Sequence, residues 1–309
     1  MKEIVVFGGN SNPELLSRIC GELDLFPSRA TVSRFPDLET KVEIEENVRG
    51  KDVFVVQSIS PPANDNLMEL LLMTDALRRA SAERITAVIP YYGYARQDRK
   101  QRGRVPISAR VVADLLEAVG TDRVLTLDLH ASQIQGFFKI PVDHFPGHLA
   151  FRDGFSEYLP DLVVVASDAG SIQRAIPFAN KLKVPMAVTD KRRIDDRTIE
   201  IRTVIGDVKG KNALLADDII STGGTVVRDA EALRKAGAKK IIVCATHGVF
   251  APGAVEILDG SGLEAIHVTD SVKPIFPIPS KVLYRNSVAP LLAEGILRIH
   301  ENRSVSGMI

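Results

Sequence analysis

Eight short runs rich in Val and Ile recur along the 309-residue chain: EIVVFG, DVFVVQS, RITAVIP, DRVLTLDL, LVVVASD, NALLADD, KIIVCATH and LEAIHVTD. Each has the length of a buried strand. Between several of them lie stretches of helical periodicity, such as LMELLLMTDALRRAS and GTVVRDAEALRKAG. Strands alternating with helices imply an α/β fold whose mostly parallel sheet is covered by helices on both faces. The pattern also repeats. Asp75 to Val88 (DALRRASAERITAV) aligns without gaps against Glu231 to Cys244 (EALRKAGAKKIIVC), at an offset of 156 residues. Each segment matches a helix end, a turn and a strand, and upstream of each another strand feeds a loop. The chain therefore divides into two copies of one α/β unit of roughly 150 residues. The boundary is expected in the loop around Pro146 to Asp153, giving domains 1–147 and 148–309, with the tail after residue 285 a closing helix of unassigned domain.

Composition limits the partners. Lys and Arg total 39 and Asp and Glu total 39, so nothing in the overall charge points to nucleic acid or an anionic membrane. Cys20 and Cys244 are the only cysteines, far apart in apolar contexts, which excludes a disulfide framework and a Cys-based zinc site. The first apolar run is too brief for a signal segment, and no run reaches membrane-spanning length. A cytoplasmic protein is expected.

In open parallel sheets, ligands bind beyond the carboxyl ends of the strands. LLADDIISTGGTVV is the most informative such position. Gly223 and Gly224 permit close backbone approach, Ser221, Thr222 and Thr225 offer hydroxyls, and the following helix presents amides and a dipole that favour an anion. Two carboxylates, Asp217 and Asp218, would repel a nucleoside triphosphate, and no Lys follows as in a Walker loop. They suit a vicinal diol, whose hydroxyls a carboxylate can accept. The loop thus fits a sugar phosphate, with the sugar at the acidic end and the phosphate at the glycine end.

DDIISTGGT after an apolar strand resembles the phosphoribosyl pyrophosphate loop shared by phosphoribosyltransferases and ribose-phosphate pyrophosphokinases. FPDLE (Phe35 to Glu39), PYYGYARQDRK (Pro90 to Lys100), RVPISARVVADLL, LTLDLHASQIQGFF, SDAGS (Ser167 to Ser171) and TDKRR (Thr189 to Arg193) resemble the pyrophosphokinase motifs in the same order over nearly the whole chain. The resemblance implies two tandem type I phosphoribosyltransferase-like domains that use ATP, ribose 5-phosphate and Mg2+. It further implies a homo-oligomer built from dimers that often assemble into hexamers.

Each remaining role rests on that resemblance. Taken alone, PYYGYARQDRK offers aromatic faces for a base and guanidinium forks for phosphate, and equally suits an RNA-contacting patch or a solvated loop. The family makes Arg96 and Gln97 ATP-binding residues. Asp37, Leu38 and Glu39 match its adenine-contacting segment, reached from a neighbouring subunit. His130 and Asp168 match its magnesium residues; histidine is an unusual ligand for this metal, which leaves contact through water open beside direct ligation. DKRRIDDRTIEIRTV would ordinarily be a solvated hairpin. By resemblance it is the catalytic loop, with Lys191 the catalytic lysine and Arg193 the arginine at ribose 5-phosphate and the transferring group. Three positions depart from the commonest pattern: Leu38 and Ser171 stand where glycine is usual, and Ser221 where an aspartate is. The rival activities are a phosphoribosyltransferase and a noncatalytic synthetase-associated subunit. The duplicated architecture with YARQDRK argues against the first, and intact Asp168, Lys191 and Arg193 against the second.

Overall fold

The computed structural model describes residues 3–151, 155–159, 161–193, 199–276, 278, 280 and 282–308. They form two compact units. One holds Met1–Pro146, Ser271–Lys273 and Ser287–Ile309, and the other Gly147–Asp270 and Pro274–Asn286.

The N-terminal unit runs β1 (Ile4–Gly8), α1 (Pro13–Glu22), β2 (Ala30–Arg34), β3 (Thr40–Ile44), β4 (Asp52–Val56), α2 (Ala63–Arg79), β5 (Arg84–Ile89), α3 (Ser108–Ala118), β6 (Arg123–Leu127) and β7 (Val142–Phe145). Its main sheet is parallel throughout, in the order β1-β4-β5-β6-β7, and β2 and β3 form a separate antiparallel ribbon. The C-terminal unit runs β8 (Leu162–Ala166), α4 (Ile172–Leu182), β9 (Met186–Arg193), β10 (Ile199–Ile205), β11 (Asn212–Ile220), α5 (Gly224–Lys235), β12 (Lys240–Gly248), α6 (Ala254–Asp259), β13 (Ala265–Thr269) and β14 (Leu283–Asn286). Its sheet has the order β10-β9-β8-β11-β12-β13-β14, parallel except for β10. All eight apolar runs are strands. The repeat is structural too, since 156 residues separate the helix ends Arg79 and Lys235 and also the strand starts Arg84 and Lys240.

Burial explains why the strands read as continuous apolar runs. Every residue of β4, β8 and β13 is buried, as a sheet covered on both faces requires. Each fully buried Val contributes roughly 1.5–3 kcal/mol. Helices present one apolar stripe each: α5 buries Val226, Asp229, Ala230 and Leu233, at the spacing of a single helix face. Local signals set their ends. Pro13 opens α1 behind an Asn12 side chain that accepts from the Leu15 amide at 3.2 Å, and α4 stops at Lys183 in the left-handed region, φ 54°.

The tail departs from the span 148–309. Its helix, α7 (Ala289–His300), buries Leu292, Ile296 and Ile299 and belongs to the N-terminal unit. Gly295 permits this close packing, because a Cβ there would lie 2.7 Å from the Phe145 ring. Asp52, buried at the start of β4, accepts from Arg84 and sits 2.8 Å from His300 Nδ1, while Arg84 also donates to the Ile299 carbonyl at 3.0 Å.

Candidate active site

Strand order locates the crevice of the C-terminal unit. From β8 the chain moves to β9 on one side, while β11 lies on the other, so loops leaving β8 and β11 diverge and open a gap at their carboxyl ends. Asp168 follows β8, Asp217 and Asp218 lie near the end of β11, and residues 221–223 lead into α5. The structure therefore brings together four of the features singled out in the sequence.

The two acids share a guanidinium. Arg174, in the first turn of α4, places Nη1 3.6 Å from Asp217 Oδ1 and 3.5 Å from Asp218 Oδ1. Asp217 Oδ1 also accepts the Asp218 amide at 2.9 Å. The pair is unequal: 22% of the Asp217 side chain reaches solvent but only 5% of Asp218. Burial, and then the neighbouring Asp218 carboxylate, push Asp217 up to about 8, against the opposing pull of Arg174. Asp217 is therefore held in its protonated form near neutral pH, and a cation or hydroxyl donors brought to the pair would favour its ionised form. Sequence reasoning missed Arg174, because nothing local marks a helical arginine that reaches two carboxylates on another strand.

The glycine end is equally specific. Gly223 has φ 77°, and a Cβ there would come within 3.0 Å of Leu258, so backbone angle and packing both demand glycine. Gly224 is open, with nothing nearer than 3.8 Å to a Cβ. Ala251 donates its amide to the Ser221 carbonyl at 2.9 Å, anchoring the loop and leaving Thr222 and Thr225 exposed. Among the described residues no side chain caps α5 and no acid lies in its first turn, so its amides and dipole suit an anion.

Asp168 caps its own turn. Its Oδ1 accepts the Ser171 amide at 2.8 Å, and Ser171 Oγ accepts the Asp168 amide at 3.0 Å, a reciprocal box that glycine at 171 could not make. Among the described residues no three His, Cys, Asp or Glu side chains converge as a metal cage. An exposed carboxylate beside an acidic pair fits a Mg2+ carried mainly by substrate phosphates and water.

Lys191 and Arg193 close β9, paired in backbone register with Ile201 and Ile199 of β10. The register shifts between Ile201 and Thr203, a bulge opposite the Asp190–Lys191 step of the kind that re-aims side chains beside active sites. The side chains of Lys191 and Arg193, and residues 194–198 of the expected catalytic loop, lie outside the described residues.

In the N-terminal unit the β5–α3 loop corrects one expectation. Tyr92 offers no face to a base: it is buried, packs edge-on against Phe138 and donates its hydroxyl to the Ala109 carbonyl at 2.9 Å. Tyr94 is tied to Asn64. These bonds hold the loop from which Arg96 and Gln97 project, both exposed, with Gln97 Oε1 accepting from Ser108. Asp37, Leu38 and Glu39 form the exposed tip of the β2–β3 ribbon, closed by the Phe35 amide donating to the Glu39 carbonyl at 2.8 Å. Leu38 takes φ 73°, which explains why glycine would be usual there. His130 is exposed after β6, on a turn pinned by the Leu129 amide donating to His144 Nε2 at 2.9 Å.

Comparison with known proteins follows the same lines. One family model, described as the N-terminal domain of ribose phosphate pyrophosphokinase, matches residues 4–120, and another, the phosphoribosyl synthetase-associated domain, matches residues 198–309. A ribose-phosphate pyrophosphokinase of Caldanaerobacter subterraneus subsp. tengcongensis is 52% identical over 308 residues, covering 97% of this chain and 96% of the relative. Its Bacillus subtilis counterpart is 47% identical, covering 99% and 96%. Among solved structures, a phosphoribosylpyrophosphate synthetase from Mycobacterium smegmatis superposes with a TM-score of 0.90 at 44% identity, over 97% of this chain and 100% of that one.

Proposed function

The chain belongs to the ribose-phosphate pyrophosphokinase family, and from that premise we propose that it moves the β,γ-diphosphoryl group of ATP onto the C1 hydroxyl of ribose 5-phosphate, yielding phosphoribosyl pyrophosphate and AMP. The supporting observation is the loop after β11, with a carboxylate pair at one end and an uncapped helix start at the other. That is the shape of a molecule with a diol and a phosphate. Asp217, the more open acid, accepts from the sugar hydroxyls, with Asp218 and Arg174 holding it in place. Residues 221–225 take the 5-phosphate, which fixes how far C1 stands from the loop.

The C1 hydroxyl gives up its proton to solvent and its oxygen forms the new bond to the β-phosphorus as the bond from that phosphorus to the α,β-bridging oxygen breaks, and AMP leaves with that oxygen. Such a transfer needs no covalent nucleophile from the protein; alignment and charge neutralisation suffice. Lys191 and Arg193 serve the transferring group. Arg96, Gln97 and residues 37–39 hold ATP. Asp168 and His130 would hold Mg2+ together with the substrate phosphates, and the ion supplies neutralisation of charge on the nonbridging oxygens. The N-terminal domain thereby handles ATP and the C-terminal domain the sugar phosphate. We infer also a dimer-based homo-oligomer in the cytoplasm; among the described residues no helix is long and apolar enough to cross a membrane.

Incubation with ATP, Mg2+ and ribose 5-phosphate should give AMP and phosphoribosyl pyrophosphate in equal amounts. Absence of AMP with both substrates bound would instead support a noncatalytic subunit. Asp217→Ala should raise the KM for ribose 5-phosphate, and unchanged saturation by the sugar would contradict the diol assignment.

A further inference from the structure

Three elements of the C-terminal unit bring in the site, and one buried cluster joins them. Thr189, in β9, has no solvent exposure. Its hydroxyl donates to the Ser167 carbonyl at 2.8 Å, with the Ala166 carbonyl at 3.4 Å and Asp229 Oδ1 at 3.5 Å. Each member adjoins a residue of the site. Ser167 immediately precedes Asp168, Lys191 follows Thr189 by two residues in the same strand, and Asp229 lies one helical turn beyond Thr225 on the same side of α5.

Asp229 is the informative member. It occupies one of the four core-facing positions of α5, where the others are Val226, Ala230 and Leu233, and it is 1% exposed. An acid at such a position costs stability unless polar groups meet it, whereas an apolar residue would pack without that cost. Neither Thr189 nor Asp229 reaches the surface, so neither touches a substrate. What they contact is the end of one site-bearing element from another. The Ser167 bond is short and the Asp229 contact lies at the outer limit of a hydrogen bond, so the one hydroxyl stands between the end of β8 and α5, and a shift of α5 would change which acceptor it serves.

We propose that Thr189 and Asp229 are positioning residues that tie β9 to α5 and to the end of β8, so that filling the 221–225 loop fixes the strand carrying Lys191. The inference rests on the reading of that loop as the seat of ribose 5-phosphate. It differs from a simple packing role, because packing would respond to substitution without responding to the sugar phosphate.

The test compares hydrogen exchange of β9 backbone amides with and without ribose 5-phosphate in the full-length protein, its Thr189→Val, Thr189→Ser and Asp229→Leu variants. In the parent and in Thr189→Ser, the ligand should slow exchange about fivefold; in Thr189→Val and Asp229→Leu the slowing should vanish while ribose 5-phosphate affinity stays within about threefold. Turnover should fall about tenfold in the latter two, with the KM for ATP unchanged. Retention of the slowing in both variants, with turnover within about twofold of the parent, overturns the proposal, whatever happens to their melting temperatures. A parent protein that binds the sugar phosphate without any slowing in β9 overturns it too. A parent that does not bind ribose 5-phosphate overturns the reading of the loop itself, and this inference with it.

Discussion

Counting along matched ladders shows what became of the same position in the two units. The register Ile4–Asp52–Arg84 of β1, β4 and β5 corresponds to Leu162–Asn212–Lys240 of β8, β11 and β12. Asn10 then stands where the C-terminal unit has Asp168, Gln57 where it has Asp217, and Ser58 where it has Asp218. The 156-residue offset between α2 and α5 likewise puts Glu69 at the place of Thr225. Two of the three carboxylates are matched by amides and the third, Asp218, by a hydroxyl, while the hydroxyl on the helix is matched by a carboxylate. The N-terminal groups satisfy one another: Glu69 accepts from the Asn10 amide at 2.9 Å, from Asn10 Nδ2 at 2.8 Å and from Gln57 Nε2 at 2.8 Å. Ser58 bonds to Ser11 and to the Ser271 carbonyl. The N-terminal groups are closed on themselves, with an acid at the helix position where the C-terminal loop, as proposed, takes a phosphate. The residues proposed for ATP, Arg96, Gln97 and 37–39, lie elsewhere in the N-terminal unit, in the β5–α3 loop and at the tip of the β2–β3 ribbon. That ribbon holds the same place in chain order as β9–β10, whose first strand carries Lys191 and ends in Arg193.

The sharpest way to break this comparison is at the ribbons. Lys191→Ala should lower turnover about 100-fold to 1,000-fold with ATP binding nearly intact, because its charge is needed as the diphosphoryl group moves. Near-normal turnover would remove the functional asymmetry between the ribbons.

Closure of the N-terminal crevice predicts a stability effect. Glu69→Ala strands the buried donor of Gln57 and removes the acceptor of the exposed Asn10, and should destabilise the protein by about 2 kcal/mol, measured by denaturant melts, while exposed Thr225→Ala should stay within about 0.5 kcal/mol of the parent. Equal losses would mean the two crevices are held alike.

The open crevice should betray itself by pH. Asp217 ionises at 3.8 when unfolded but only near about 8 when folded, so the folded chain carries the extra proton in between and loses stability as pH rises across that window. Melting temperatures of Asp217→Asn should lack that decline and exceed the parent's at pH near the top of the window. Gln57→Glu in the closed crevice should introduce a decline where the parent sequence has none at that position. The smallest effect is expected at Leu38→Gly, which relieves the left-handed strain and should add roughly 1 kcal/mol of stability. A loss there would mean that the exposed Leu38 side chain makes contacts that outweigh its backbone strain.

Much of this was legible in the sequence. Continuous Val and Ile runs gave the parallel strands, because a strand covered on both faces has no polar side to show. The repeat exposed the duplication, and LLADDIISTGGTVV marked the loop proposed for the sugar phosphate, since its acids, glycines and hydroxyls are consecutive. Tyr92 misled because an aromatic residue beside arginines looks the same in sequence whether its ring faces solvent or the core. Arg174 was invisible because nothing local distinguishes a helical arginine that reaches two carboxylates on another strand.

By itself, then, the sequence determined what local pattern encodes: strand and helix identity, the order of the two copies, and each loop whose ligand groups are contiguous. Only the tertiary structure decided which copy was open, through contacts between residues as far apart as Asn10 and Glu69 or Arg174 and Asp217. It also returned the tail to the N-terminal unit, where Gly295 lies against Phe145. The reason is physical: a hydrogen bond or close contact is set by distance in space, and sequence separation carries no information about it until the sheet has assembled.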